Sequence, residues 1–276
     1  MTEAYEASLL QSAIVYARLA GELIVERTGS FSSILEKKNV SDLVTDVDVL
    51  SETLLRERIG ADYPGHWILS EEDNGSRNSY QSLACNGPGY GWIIDPIDGT
   101  TNFIHGIPHF AVSIGIVLNY EPVIGVVYNP LTGEMFHSQR GSGSFRNSVP
   151  IQTGKEQKLE EALLATGFQA EQWARKSQLV SQMDLLAGAC RNLRINGAAS
   201  LDLCWIAMGR LTGFWHKGLH PWDTSAGGLI LREAGGKITD FNGDEYELHH
   251  DTLVASNSSI HDEFLNGISD RRGVAG

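Results

Sequence analysis

The chain has only three cysteines in 276 residues, Cys85, Cys190 and Cys204. An odd and sparse set without metal-ligand spacing excludes a disulfide framework, and reduced thiols of an intracellular protein are expected. Basic residues are also short. Lys and Arg number 21 against 34 Asp and Glu, a formal net charge of −13. Nucleic acid and anionic membranes select Lys/Arg patches, so neither is expected as a partner. The longest apolar run, Phe110 to Leu118, is far below a membrane span and contains Ser113 and Gly115. The start, Met1-Thr-Glu-Ala-Tyr-Glu, is acidic and lacks the basic start and apolar core of a signal peptide, so a cytoplasmic location is expected. No Gly-x-Ser-x-Gly, Gly-x-x-x-x-Gly-Lys or Gly-x-Gly-x-x-Gly occurs. Serine-hydrolase, P-loop and Rossmann readings fall with those motifs. No internal repeat or low-complexity segment stands out.

What is present suits a globular chain with a large core: 42% hydrophobic and 20% charged residues. Leu9, Ala13, Tyr16, Ala17, Ala20 and Ile24 recur at helical spacing, which predicts an amphipathic helix from Ala4 to Arg27. A second helix is expected from Thr45 to Ile59, and a short strand at His66–Leu69. Residues 73–91 read as a surface excursion. Strands then follow at Ala111–Leu118, Glu121–Tyr128, Glu134–Ser138 and Gly143–Phe145, separated by turn residues such as Asn129-Pro130 and Thr132-Gly133. That pattern predicts an antiparallel meander. Beyond Gly154 helices and strands alternate: strands at Leu163–Thr166, Asn192–Ile195, Phe214-Trp215, Lys237–Asp240 and Leu253–Ser256, and helices at Gln172–Ala189, after Ser200, at Thr224–Ala234 and at Ser259–Ile268. The tail from Ser269 is expected to fray. The change of style divides an α+β part, 1–153, from an α/β part, 154–276, within one unit with a cleft between them.

The stretch that organises the chain is Gly91-Trp-Ile-Ile-Asp95-Pro-Ile-Asp98-Gly-Thr-Thr-Asn-Phe103. A buried apolar run ends in two aspartates flanking a proline. Pro96 has no N–H for a ladder, so the strand is expected to end near Asp95. Two close carboxylates repel unless they share a proton or a cation, and the shared cation is the reading adopted. Ser70-Glu71-Glu72-Asp73 is a second acidic cluster at a strand end, and Asp223 lies at a helix start. Carboxylate oxygens at such positions suit Mg²⁺, whose shell a substrate phosphate completes. Solvated loop acids or helix caps are the alternative, strongest for Asp223 ahead of Thr-Ser-Ala. Asp98-Gly-Thr-Thr offers amides and hydroxyls for an anion, and Asn196-Gly-Ala-Ala-Ser200 is a second small-residue turn opening a helix. In Ser41-Asp42-Leu-Val-Thr45-Asp46-Val-Asp48, Asp42 suits a cap, and Asp48 with a threonine would orient a water. His105/His109 and His216/His220 lie four apart, but Gly106, Pro108 and Gly218 fall inside the pairs, which argues against a helical zinc site.

Asp95-Pro-Ile-Asp98-Gly-Thr100-Thr-Asn-Phe103 resembles the first signature of the inositol monophosphatase family. Trp222-Asp223-Thr-Ser-Ala-Gly-Gly-Leu-Ile-Leu-Arg-Glu-Ala-Gly-Gly236 resembles the second. Glu71-Glu72 and the Asp42–Asp48 segment are similar to its other acidic stretches. The resemblance covers the chain from the first helix to about Ser256. It implies a layered αβαβα sandwich of the α+β class, Mg²⁺-dependent and lithium-sensitive hydrolysis of a small phosphomonoester, two to three Mg²⁺ ions and a homodimer. It further implies that Glu71, Asp95 and the Ile97 carbonyl hold one metal. Asp95, Asp98 and Asp223 hold a second, and Glu71 assists a third through waters. Thr100 with Asp48 would activate the water, Gly99 and Thr100 amides would hold phosphate, and Gly197 and Ala198 would face the alcohol. Two departures matter. Ser70 stands where the family commonly has Gly. His216 stands where inositol phosphatases usually place a glutamate that accepts hydrogen bonds from inositol hydroxyls, and an imidazole accepts only one. Inositol monophosphate is the first substrate expectation. Fructose 1,6-bisphosphate, histidinol phosphate or a nucleotide 3′-phosphate are the alternatives of the same chemistry. A non-catalytic binding protein on this fold and a histidine-based zinc hydrolase are the readings from other classes.

Overall fold

Helices α1 (Thr2–Arg27) and α2 (Asp46–Asp62) cover one face of a seven-stranded sheet in the computed structural model, which describes residues 2–29, 33–37, 43–72, 87–169 and 178–268. The sheet runs β3 (Trp67–Ser70), β4 (Tyr90–Asp98), β5 (Ala111–Leu118), β6 (Glu121–Asn129), β7 (Glu134–Gln139), β8 (Ser144–Arg146) and β9 (Val149–Ile151), in that order. Only β3 and β4 are parallel within it; the rest is the expected meander, extended by β9. A short antiparallel hairpin, β1 (Ile34–Glu36) and β2 (Leu43–Thr45), precedes α2.

A second sheet has the order β11 (Asn192–Ile195), β10 (Leu163–Thr166), β12 (Gly213–Lys217), β14 (Thr252–Ser256), β13 (Lys237–Thr239). Between the sheets lie α5 (Ala199–Ala207) and α6 (Pro221–Glu233); α4 (Gln178–Leu186) and α7 (His261–Ile268) cover the outer face. A five-residue helix, α3 (Thr100–Ile104), follows β4. The layers are therefore αβαβα, with one apolar cluster under each outer helical layer and a third spanning both faces of the middle one. The division expected at 153/154 falls in the connection between the last strand of the first sheet and the first strand of the second.

Side-chain alternation explains the layering. On β5, Val112, Ile114 and Ile116 face α1 and α2. The opposite face carries Ser113 and Gly115, and this is where α6 descends on the sheet. Ser113 Oγ donates to the Trp222 carbonyl at 3.2 Å, a Cβ on Gly115 would lie 2.3 Å from Ser225 Oγ, and one on Gly125 would lie 2.5 Å from the Ala226 carbonyl oxygen. The residues that interrupt the apolar run thus admit a helix backbone. Helix α1 is long and apolar enough to cross a membrane by composition alone. Its Leu9–Ile24 stripe is instead buried against the sheet, where each fully buried Leu or Ile contributes about 1.5–3 kcal/mol.

Several boundaries shift from expectation, such as the end of α2 at Asp62 rather than Ile59 and the start of α6 at Pro221 rather than Thr224, and two of the shifts have a clear local cause. Strand β4 does not stop at Asp95. Its ladder with β5 skips Pro96 and Ile97 and resumes at Asp98↔Ala111, so a bulge absorbs the missing N–H. Helix α2 begins at Asp46, because Thr45 is its N-cap: Thr45 Oγ1 accepts from the amides of Val47 and Asp48. Residues 73–86 of the expected excursion, the cap proposed for Asp42, Cys85, the start of the helix at Gln172 and the tail from Ser269 lie outside the described residues, while Tyr90 and Gly91, expected in the excursion, already belong to β4.

Candidate active site

The parallel pairing of β3 with β4 brings two acidic ends together. Ser70 pairs with Ile94, so Glu71, just past the end of β3, comes next to Asp95 in β4, and the Glu71 amide donates to the Ile94 carbonyl at 3.2 Å. Ser70, the residue that departs from glycine, is buried, and its hydroxyl accepts from Arg56 Nη1 at 2.9 Å. The bulge after Asp95 aims Asp98 to the same side, and the Ile97 amide donates to Asp95 Oδ1 at 3.1 Å. Asp223 arrives from the first turn of α6. It does cap that helix, accepting from the His220 amide at 2.7 Å, and it also faces the other two aspartates. Asp95, Asp98 and Asp223 each offer a carboxylate oxygen, and these lie within 4.8 Å of one another. Among the described residues this is the group of His, Cys, Asp and Glu side chains close enough to share an ion, and neither histidine pair joins it.

The three are buried, and their protonation reflects it. Burial raises Asp95 well above the carboxylate range, and the charges of Glu71, Asp98 and Asp223 push it further. Asp223 is raised by burial, then by Asp98 and Glu71. Burial lifts Asp98 to about 6, against hydrogen bonds from Ser200. Mutual repulsion in a dry site is what a hard divalent cation offsets, so the donor set fits Mg²⁺.

Asp48 lies beside this trio at the start of α2. Its Oδ2 accepts from the Thr45 amide (2.9 Å) and hydroxyl (2.5 Å), and its Oδ1 lies 2.9 Å from Thr100 Oγ1. The Thr100 hydroxyl also lies 3.0 Å from the Ile97 carbonyl, so its one hydrogen serves either acceptor. Burial raises Asp48 to about 6 in spite of the Thr45 hydrogen bonds.

A cleft of about 570 Å³ opens over these groups, its far wall formed by the 196–198 turn, His216 and Gly167. Every residue expected at the site lines it or contacts its floor, so the fold brings all of them together. His216, on β12, is buried, and burial lowers its pKa to about 4, so the ring is neutral. Its Nδ1 is buried without a hydrogen-bond partner, and a Cβ on Gly167 would lie 3.0 Å from its Nε2.

Sequence reasoning missed two contacts here. Lys37 extends from the β1 hairpin to Glu71 Oε1 (3.0 Å) and Glu72 Oε1 (2.6 Å). Burial alone would depress its ammonium, but the two glutamates hold it above its usual range. Ser200 donates to Asp98 from both amide and hydroxyl. Neither has a local signal: each depends on chain segments 34 and 102 residues apart.

Residues 6–272 match the profile of the inositol monophosphatase family. The chain is 38% identical over 263 residues to a protein of Pasteurella multocida called Nus factor SuhB, covering 94% of this chain and 95% of that one. It is 37% identical over 262 residues to inositol monophosphatase 2 of Solanum lycopersicum, covering 94% and 97%. Among solved structures, an IMPase of Thermotoga maritima superposes with a TM-score of 0.84 at 31% identity, covering 95% and 96% of the two chains.

Proposed function

The chain belongs to the inositol monophosphatase family, and from that premise we propose that it is a Mg²⁺-dependent hydrolase of a small phosphomonoester, inositol monophosphate first. Membership supports phosphatase activity. The observation that carries the finer reading is the buried aspartate trio, whose oxygens lie within 4.8 Å and whose charges raise one another's pKa.

In this reading Glu71, Asp95 and the Ile97 carbonyl would hold one ion, Asp95, Asp98 and Asp223 would hold a second, and Glu71 would assist a third. Bound there, Mg²⁺ supplies charge neutralisation for a phosphate and lowers the pKa of a coordinated water. The chain's own residues do the rest. Thr100 Oγ1 accepts a hydrogen from the attacking water while its own hydrogen lies on Asp48 Oδ1, 2.9 Å away. Asp48 is held for that task by the two Thr45 donors on its other oxygen. Gly99 and Thr100 amides orient the phosphate, and Gly197, Ala198 and His216 face the alcohol. A neutral His216 offers one acceptor, enough to meet one hydroxyl of the alcohol.

A net charge of −13 supports a small anion recruited by bound cations rather than a nucleic acid partner. The name Nus factor SuhB is that of the Pasteurella multocida relative. The homodimer and cytoplasmic location remain part of the proposal. The test is phosphate release, with Mg²⁺ and with a chelator, from inositol 1-phosphate, fructose 1,6-bisphosphate, histidinol phosphate and a nucleoside 3′-phosphate. Release from inositol 1-phosphate at the highest kcat/KM is expected. A stronger preference for another member overturns the substrate, and no Mg²⁺-dependent release from any overturns the function.

A further inference from the structure

Four polar side chains close a ring beneath the cleft. Asn102, buried on α3, donates from Nδ2 to the His109 carbonyl at 2.7 Å and to the Asn196 carbonyl at 2.8 Å. Asn196 Nδ2 donates to Asp202 Oδ1 at 2.7 Å, and His109 Nε2 lies 3.5 Å from that same oxygen. Both amide hydrogens of Asn102 are thereby committed, one within its own loop and one to a residue 94 positions away. The ring ties the turn after Asp98 to the turn that carries Gly197 and Ala198.

The contact between those turns is close. Gly99 has φ +93 and Gly197 φ +86, both in the left-handed region that favours glycine. A Cβ on Gly99 would lie 3.1 Å from the Gly197 carbonyl oxygen and 3.2 Å from Ala198 Cβ, and a Cβ on Gly197 would lie 3.1 Å from Asn102 Nδ2. The floor and the far wall of the cleft are therefore held together at two places, by Asn102 at the Asn196 carbonyl and by the Ala199 and Ser200 donors on Asp98. No aspartate of the trio hydrogen-bonds to it, so its effect on the carboxylate cluster is indirect.

We propose that Asn102 is a specificity-positioning residue: through the Asn196 carbonyl it fixes the 196–198 turn at the height over Gly99 that the alcohol portion of the substrate requires. This rests on the reading that Gly197 and Ala198 face the alcohol of a phosphomonoester. A substrate whose leaving group makes no directional polar contact with that wall depends on Asn102 far less than a polyol phosphate does. Asn102→Asp is the harsher change, since it keeps the shape but replaces the one nitrogen that carries both donated hydrogens by an oxygen facing two carbonyl oxygens.

The experiment compares wild type, Asn102→Ala and Asn102→Asp with Mg²⁺ on inositol 1-phosphate and on 4-nitrophenyl phosphate, with amide hydrogen exchange of residues 192–200 measured in parallel. Asn102→Ala is expected to raise KM for inositol 1-phosphate about tenfold with kcat within about twofold, and to raise KM for the aryl phosphate less than about threefold. Exchange at Ala199 and Ser200, whose amides donate to Asp98 directly after that turn, is expected to accelerate at least about tenfold. If Asn102→Ala does not fold, Asn102→Ser, whose one hydroxyl hydrogen serves at most one of the two carbonyls, gives the same comparison. Equal losses on the two substrates, or unchanged exchange at Ala199 and Ser200, would overturn the proposal. If wild type hydrolyses neither substrate the phosphatase reading fails, and the exchange measurement still decides whether Asn102 holds the turn.

Discussion

Asp98 accepts two hydrogen bonds from one residue, the amide of Ser200 at 2.7 Å and its hydroxyl at 2.5 Å. The first residues of α5 thus hold an aspartate that comes from the bulged end of β4, and the two halves of the chain meet at a carboxylate. The Ser200 donors lower the pKa that burial raises. Ser200→Ala removes one charge-assisted hydrogen bond and leaves the amide. At pH 8 it should cost about 1–2 kcal/mol in urea unfolding and weaken Mg²⁺ binding several-fold by calorimetry. A variant as stable as wild type with unchanged Mg²⁺ affinity would show that the hydroxyl contact carries no weight.

Without a divalent cation the trio should make the fold less stable as pH rises. Asp98 is raised to about 6, and Asp95 and Asp223 are raised well above the usual carboxylate range by burial and then by the charges of Glu71 and Asp98. Acids whose folded pKa exceeds the unfolded value contribute stability below about pH 4, and that contribution is lost as pH rises through the folded values. In chelator the melting temperature should therefore fall between pH 5.5 and 8. Mg²⁺ at a hundredfold its Kd should return about 2.7 kcal/mol. Differential scanning calorimetry with and without Mg²⁺ measures both.

His261 should act in the opposite sense. Its Nε2 lies 3.0 Å from Thr239 Oγ1, which donates its own hydrogen to the Asp240 carbonyl, so Nε2 carries the proton. Its Nδ1 then accepts from Ser256 Oγ at 2.9 Å. Burial lowers the pKa to about 4. A base depressed below its unfolded value contributes stability that is complete above about pH 6.5 and lost as pH falls toward about 4. The difference in unfolding free energy between wild type and His261→Gln should shrink across that window, by up to about 3 kcal/mol. A difference independent of pH would remove His261 from the titrating set.

Gly125 admits the backbone of α6 to the sheet. A Cβ there would lie 2.5 Å from the Ala226 carbonyl oxygen, a backbone atom that cannot rotate away. Gly125→Ala should cost about 2–3 kcal/mol. Because α6 also carries Asp223, Mg²⁺ affinity should weaken as well, which calorimetry on the folded fraction would detect.

Much of this architecture is legible locally. The strands of the meander and of the second sheet follow from apolar runs cut by turn residues, and most boundaries agree within two or three residues. The acidic residues are legible because aspartates beside apolar strand ends have no role in a core. Pro96 misled because a missing N–H argues for a strand's end, whereas a bulge also accommodates it. The three-residue strands β1 and β9 are too short for a period to register. Lys37, Ser200 and the Asn102 ring are set by tertiary register alone. An asparagine after Gly-Thr-Thr looks like a turn residue until the Asn196 carbonyl is found 2.8 Å from its amide.

The most direct measurement is Mg²⁺-dependent phosphate release from inositol 1-phosphate by wild type and Asp98→Asn, with circular dichroism to establish that both are folded. The account predicts release by wild type that chelation abolishes, and a loss of at least about 10³-fold in the variant, roughly 4 kcal/mol of barrier. Release by Asp98→Asn at the wild-type rate, or wild-type release that persists when Mg²⁺ is removed, would contradict it.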